Sequence, residues 1–538
     1  MATTVTGTPA HAPQPAGAMA EERVKLRKVL RRFDLICFTI AAFIALDTIA
    51  STAAYGGGET LFWVGFVIVL YLIPSGLICA ELGSAFPIEG GPYAWPRMAF
   101  GRLPGAVTAT FYWMSNPTWM GGTLAATSVA VLSSSLMFNH PIGTAWEIVI
   151  GLVVVWAIVG LSVIELKFGR WTGNIGTFIR LAVFFIFIGL VAWFLIKNGK
   201  PADTIGWGSL KPSLTGFLAV IGLLQFLFVG FELSNSASEE MRNPQRDVPG
   251  MIARSGLISA LIVLGLVFGI LLVIPLAKVS NVGGFPDAYG AVAGVLGSAH
   301  GPVGWLMGVM ILLIIVSAGG VWLQGAARTQ AVAGLDGSAP LILGKFSKSG
   351  TPIAMNLASA GIGSLFVILV FTISNGSLAN FFAVMLSIVI SLTALQYAFI
   401  FPAVTVLRKK YPDRVRPYRI PGGAAGMWLC VIATEFIVVL TSISLLWPGL
   451  IDNTLGRKYD IVASWNTSRV FFETVTLGTL AAVIVMALIF WAIGKRNLAR
   501  GLVGESDLLA VSTPAGAPAA GPAAEGAEAT AETLGSIE

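Results

Sequence analysis

The chain has 538 residues, 56% of them hydrophobic and only 11% charged, with a formal charge of +6 at neutral pH. Soluble domains carry about 25% charged residues, so a water-soluble fold this apolar lacks the polar groups to cover its surface. Apolar runs of about 20 residues recur, each long enough to cross roughly 30 Å of hydrocarbon, and they define an all-α integral membrane protein.

The N-terminal tail (1–30) and the C-terminal tail (499–538) are rich in Ala, Pro, Gly, Ser and Thr and are expected to be disordered. The N-terminal stretch has no apolar segment ending in a cleavage site, so no removable signal peptide is expected. Between the tails, twelve spans are expected, beginning near Phe33, Thr60, Leu103, Ala145, Asn174, Leu214, Met251, Gly301, Ile353, Leu378, Gly426 and Phe472. Loops on one side of these spans hold 25 Lys and Arg, and those on the other hold seven. Cytoplasmic loops carry the excess of basic residues, so both termini are expected in the cytoplasm and the chain in the cell membrane. The positive charge needs no nucleic acid to explain it.

Spans 1 and 6 are unusual. The first reads "FDLICFTIAAFIALDTIASTAAYGGGE", with Asp47 about two-thirds along it and small or hydroxylated residues after it. The sixth reads "LLQFLFVGFELSNSASEEMRNPQRDVP" and turns from an apolar helix into a charged, proline-punctuated loop. Five spans separate them, so matching helices run in opposite directions. Interrupted helices at corresponding places point to inverted repeats, here 31–198 and 212–410, with a midplane site between them. Two peripheral helices occupy 411–498. Irregular backbone at that depth is tolerated where it lines a cavity or is buried in protein.

A carboxylate inside a span costs roughly 2.5–3.5 kcal/mol unless it finds a partner or water. Glu232 follows Gly230 and Phe231, and is either a proton acceptor at the break or a helix-end carboxylate already in water. Asp47 lies about 20 Å from the cytoplasmic end of span 1. It can bind a substrate amine, pair with a cation, exchange a proton or make a static interhelical hydrogen bond. Arg180 lies about 15 Å into span 5. Its guanidinium stays protonated, so it pairs, stands in for a bound cation or snorkels, but does not shuttle protons. Phe226, Phe228, Phe231, Tyr55, Trp119 and Trp322 cluster beside these groups, as gates, as faces for a cationic head or as packing. Glu81 and Glu435 read as structural. The three cysteines lie in apolar runs, and the three histidines form no metal-ligand spacing. No metal or cofactor is called for, and no phosphate-binding loop supports a nucleotide-driven pump.

Three blocks resemble the amino acid–polyamine–organocation transporter superfamily. They are "FVGFELSNSASEEMRNPQRDVP" after span 6, "AELGSAFPIEGGPYAW" after span 2, and "ARTQAVAGLDGSAP" after span 8. The resemblance covers the chain from about Phe33 to Leu407. It implies a ten-helix transport core (31–410) with broken helices 1 and 6, alternating access and a substrate bearing an amino group. It also implies that Phe226 is an occluding aromatic and Glu232 a carboxylate linked to proton-dependent gating.

Two departures matter. In the family's amino acid carriers, small residues in helix 1 leave bare amides for the substrate carboxylate; here Asp47 stands close to that place, and an anion there favours a cationic amine. Proton-coupled members carry a Lys near the position of Arg180, which cannot lose its proton. Coupling would then come from Asp47 or Glu232, or the protein exchanges substrates; mutual neutralisation of Asp47 and Arg180 would restore an amino acid site. A sodium site would draw a hydroxyl from span 8, where Ser317 is the obvious one before Thr329, but an arginine nearby opposes a sodium ion, so sodium coupling is not expected. The expected function is a secondary amino acid permease, coupled to protons or to exchange, with a polyamine or other organic amine carrier as the alternative. An enzyme lacks a nucleophile–base or metal constellation at depth, and saturable counterflow separates a carrier from a channel. Substrate-binding residues are expected to be Ala45, Asp47, Thr48, Ser51, Thr52, Asn116, Trp119, Phe226, Gly230, Phe231, Glu232 and Trp322. Coupling and gating are expected from Glu232, Asp47, Arg180 and Tyr55.

Overall fold

The computed structural model describes residues 30–43, 46–168, 171–202, 208, 210–275, 278–279, 282, 284–348, 350–373, 378–462, 467–503 and 508. Most of both tails lies outside the described residues. Within them no strand forms; one isolated parallel bridge joins Leu30 to Met241. In chain order the helices are α1 (Arg32–Phe43), α2 (Leu46–Gly56), α3 (Gly57–Ala85) and α4 (Gly91–Phe100). Then come α5 (102–133), α6 (Thr144–Phe168), α7 (Trp171–Asn198) and α8 (Leu214–Leu227). After the break in span 6 follow α9 (Pro244–Val273), α10 (Gly284–Ala293), α11 (His300–Leu335) and α12 (Ile353–Ile373). The last are α13 (Leu378–Ile400), α14 (Ala403–Lys410), α15 (Gly423–Leu446) and α16 (Arg469–Ala499).

Among the described residues nine helices are long and apolar enough to cross a membrane, or ten if the pair α1 and α2, bent by 42°, is one span. The apolar surface fits hydrocarbon. Ile196 on α7, Leu429 on α15 and Val470 on α16 are each at least 70% exposed, an arrangement a water-facing surface would not tolerate in bulk. The α5 helix does the opposite. Its residues 108–129 are all buried, so Thr108, Ser115, Asn116, Thr118 and Thr123 face protein rather than lipid. A buried helix can carry polar side chains because neighbouring helices supply partners.

Two π-helical turns mark where spans bend. Residues Ile68–Leu72 precede Pro74, and Met120–Leu124 follow Pro117. Proline lacks the N–H that would close the α-helical ladder, and a wider turn absorbs the mismatch. In the second, α5 approaches α12 so closely that a Cβ on Gly121 would stand 2.1 Å from the Gly363 carbonyl oxygen. That contact admits only glycine.

Candidate substrate site

The α8 helix ends at Leu227, and the Phe228 amide closes back on the Gln225 carbonyl at 3.0 Å. Gly230 then takes φ +130°, where a side chain would be strained. Three-ten turns resume at Leu233–Glu240. Gly230 also lies against α1, where an added Cβ would meet Ala42 at 3.2 Å. Glu232 stands at this break, 1% exposed and therefore not in water. Its Oε1 accepts from the Tyr397 hydroxyl of α13 at 2.7 Å and from Tyr112 of α5 at 3.1 Å.

Asp47 occupies the first turn of α2 and is also 1% exposed. Its Oδ2 accepts from the Trp119 indole at 2.9 Å and from Thr123 at 3.1 Å, while Thr48 reaches Oδ1 at 3.4 Å. Asp47 therefore places a carboxylate in the opening turn of α2, where an anion is favoured by the helix dipole. No described Lys or Arg lies within ion-pair distance of Asp47 or Glu232. Ser51 and Thr52 donate to the Asp47 and Thr48 carbonyls of their own helix. Ala45 lies outside the described residues.

Aromatic rings connect the two carboxylates. Trp119 meets Phe226 edge-on at 6.1 Å and Trp322 at 6.5 Å, and Trp322 lies 6.2 Å from Tyr112. Beside these rings is a small cavity of about 10 Å³, lined by Ser115, Asn116, Trp119, Phe226, Trp322, Val389 and Thr393, room for about one water. Both amide atoms of Asn116 are buried without a partner, and a buried, unpaired amide is costly unless something comes to meet it. Trp322 also donates from its indole to the Ala42 carbonyl at 3.0 Å, fixing α11 to the end of α1.

Phe231 is elsewhere. Its ring packs on Phe43 at 4.7 Å and against Gly76 and Gly256. Arg180 is 2% exposed and does not snorkel; it donates to the Ser317 hydroxyl at 3.2 Å and the Ile314 carbonyl at 3.1 Å on α11. It makes no ion pair with Asp47, so mutual neutralisation has no support in this conformation. Tyr55 lines a second, larger cavity of about 470 Å³, described further below. Sequence reasoning missed Tyr112, Tyr397 and Thr123, whose helices are buried on nearly every face, so hydropathy gives no rotational signal.

The three sequence blocks that carry the family resemblance meet at the opposite end. Arg328 bridges Glu240 at 2.9 Å and Glu89 at 3.4 Å, all three buried. Arg97 pairs with Asp336 at 2.7 Å, and the Tyr93 hydroxyl donates to the same carboxylate. Glu81, read as structural, pairs with Arg408 at 2.5 Å and Arg416 at 3.6 Å. Leu30 is sewn to this face through the Glu240 carbonyl and the Arg242 amide. Burial, with Glu239 and Glu240 beside it, pushes the Glu89 carboxyl well above its ordinary value against the pull of Arg328.

A long helical chain with broken spans 1 and 6 around a buried polar site is the architecture of a transporter. Residues 30–453 match the family described as "Amino acid permease", and the chain belongs to that family. It is 28% identical over 475 residues to a protein named probable agmatine/putrescine antiporter AguD of Lactococcus lactis subsp. lactis, covering 87% of this chain and 94% of that one. An uncharacterized transporter of Legionella pneumophila subsp. pneumophila is 30% identical over 412 residues (74% and 85%). The branched-chain amino acid permease BcaP of Bacillus subtilis is 26% identical over 449 residues (77% and 88%). Crystal structures of an Eremococcus coleocola manganese transporter superpose with a TM-score of 0.54 at 12% identity, covering 90% of this chain and 97% of that one. That likeness concerns the fold. The chain is a multi-pass membrane permease for a small molecule.

Proposed function

We propose that the substrate is an organic amine bearing positive charge and no free carboxylate, carried across the cell membrane by exchange. The observation that supports this reading most is Asp47. The opening turn of α2, whose amides an amino acid carboxylate would need, already carries a carboxylate of the protein itself. A substrate carboxylate would have to displace Asp47 or face it. A cation meets instead two buried carboxylates, Asp47 and Glu232, linked by the faces of Trp119, Trp322 and Tyr112, which suit ammonium and guanidinium groups. A diamine or a guanidino-amine can address both. The relative named for agmatine and putrescine fits this reading.

Exchange follows from the same charges. Two desolvated carboxylates without a cation disfavour closure around an empty site, so return is easier with another amine aboard. The unpartnered Asn116 amide favours a second reading, a neutral amino acid carboxamide-bonded there, in line with the branched-chain permease relative. Both termini on the basic, cytoplasmic side completes the proposal; the Glu89–Arg328 end of the molecule then faces the cytoplasm.

Melting curves of the purified protein with agmatine, putrescine and leucine test it. A ligand at 100 times its Kd adds about 2.7 kcal/mol of stability. Agmatine or putrescine should raise the midpoint and leucine should not; the reverse pattern would replace the amine reading with the amino acid one.

A further inference from the structure

We infer that the larger cavity is a second binding site for the substrate's ammonium group, with Asp452 as its counter-charge. The cavity, about 470 Å³, lies between α2, α8, α13, α15 and the connection from α15 to α16. It is stacked on the small inner cavity along the same two helices. Gly222 and Leu223 of α8 and Leu386 and Ile390 of α13 line it. One turn further in, Phe226 and Val389 with Thr393 line the small inner cavity. Phe226 is the partition between them.

Asp452 carries the argument. It sits in the single turn Leu450–Thr454, is 6% exposed, and lines the cavity. Its main-chain carbonyl accepts from the Leu455 and Arg457 amides, yet no described residue donates to its carboxylate. The carboxylate opens onto the cavity rather than onto donors of the protein, and the space before it is where a cation would sit. Three aromatic side chains, Tyr55, Trp447 and Tyr459, share the lining and offer faces to an ammonium ion. Asp460, Arg457 and Lys458 line it too. The Arg457 guanidinium donates to the Thr215 hydroxyl of α8, also in the lining, at 3.0 Å, a bond that ties the α15–α16 connection to the helix that breaks. Lys458 would meet the carboxylate of a zwitterion, should the substrate carry one. The site therefore recognises the ammonium group in either case, and the two peripheral helices hold part of a binding site rather than only bracing the core.

This inference rests on the chain being a carrier of an amino-bearing molecule, and the test separates its failure from that of the amine reading. Saturation binding of radiolabelled agmatine, and in parallel of radiolabelled leucine, is measured on the purified full chain. Wild type should bind two agmatine per chain. Asp452→Asn and Ala219→Trp, the latter filling the cavity from an exposed wall position, should each bind one, and Asp452→Glu should keep two. Asp47→Asn should lose the inner site and keep the outer. If agmatine does not bind but leucine falls from two per chain to one in Asp452→Asn, the outer site stands and the amine reading falls. One ligand per chain in wild type, unchanged in Asp452→Asn and Ala219→Trp, overturns the outer site whichever ligand binds.

Discussion

At the scale of single residues, the site is two carboxylates held by uncharged donors. The hydrogen bonds orient Asp47 and Glu232 without cancelling their charge, which keeps both available to a cation. Removing one member of a buried charge pair costs about 2–5 kcal/mol, and 1.4 kcal/mol is a factor of ten. Asp47→Asn should therefore weaken amine binding by about 30-fold or more at the inner site, read from ligand titrations. An unchanged affinity would mean that Asp47 is only a helix cap. The donors to Glu232 are unequal, at 2.7 Å from Tyr397 and 3.1 Å from Tyr112. A hydrogen bond to a charged group contributes about 1.5–3 kcal/mol, so Tyr397→Phe should lower thermal stability more than Tyr112→Phe. Equal losses would show that the two bonds are of equal strength. Neither tyrosine was legible in the sequence, because α5 and α13 are apolar or buried around their whole circumference and hydropathy gives no rotational phase.

At the scale of elements, close backbone approach and buried charge set the behaviour. Gly121→Ala would drive a methyl to 2.1 Å from the Gly363 carbonyl. Overpacking of this kind typically costs about 1–3 kcal/mol, and α5 would be pushed from α12, lowering the melting midpoint. Glu89 predicts a pH dependence. Its carboxyl is raised in the folded protein, so the folded state holds a proton that the unfolded chain has released. The stability is fully present below the ordinary glutamate value and is lost as pH rises through the raised one. Glu89→Gln, neutral throughout, should flatten the melting-point profile over that window. A profile as steep as wild type would assign the titration to another group.

At the scale of the whole molecule, one end is sealed by ion pairs and the other opens into a cavity. Phe226 and Trp119 meet over the small inner cavity, while ion pairs hold the Arg328 end shut. Breaking a buried pair by removing one partner costs about 3–5 kcal/mol because the remaining charge is stranded. Arg328→Ala would strand Glu240 and leave Glu89 without its donor, and should shift the population toward opening at that end. The readout is a cysteine placed at Ser236, which is buried against Thr329 at 3.1 Å. Ser236→Cys should resist a water-soluble thiol reagent in the parent and react at least tenfold faster with Arg328→Ala. Equal rates would mean the ion pairs do not hold that end closed.

The sequence by itself determined the class of the protein, because apolar length in a bilayer depends on composition alone. It also marked the break at Gly230–Glu232, since a glycine, a carboxylate and hydroxyls in an apolar span announce a local failure of helix. The motif blocks around Glu81, Glu89, Arg328 and Asp336 were visible as separate strings. What they do together was not. Only the tertiary structure brought Trp119, 72 residues away, onto Asp47, and Tyr112 and Tyr397, 120 and 165 residues away, onto Glu232. It also moved Phe231 out of the site, separated Arg180 from Asp47 and set Asp452 against an open cavity. The physical reason is the same in each case. In a bundle of apolar helices, which face meets which neighbour is decided by side-chain packing between distant segments, and local sequence does not encode that rotation.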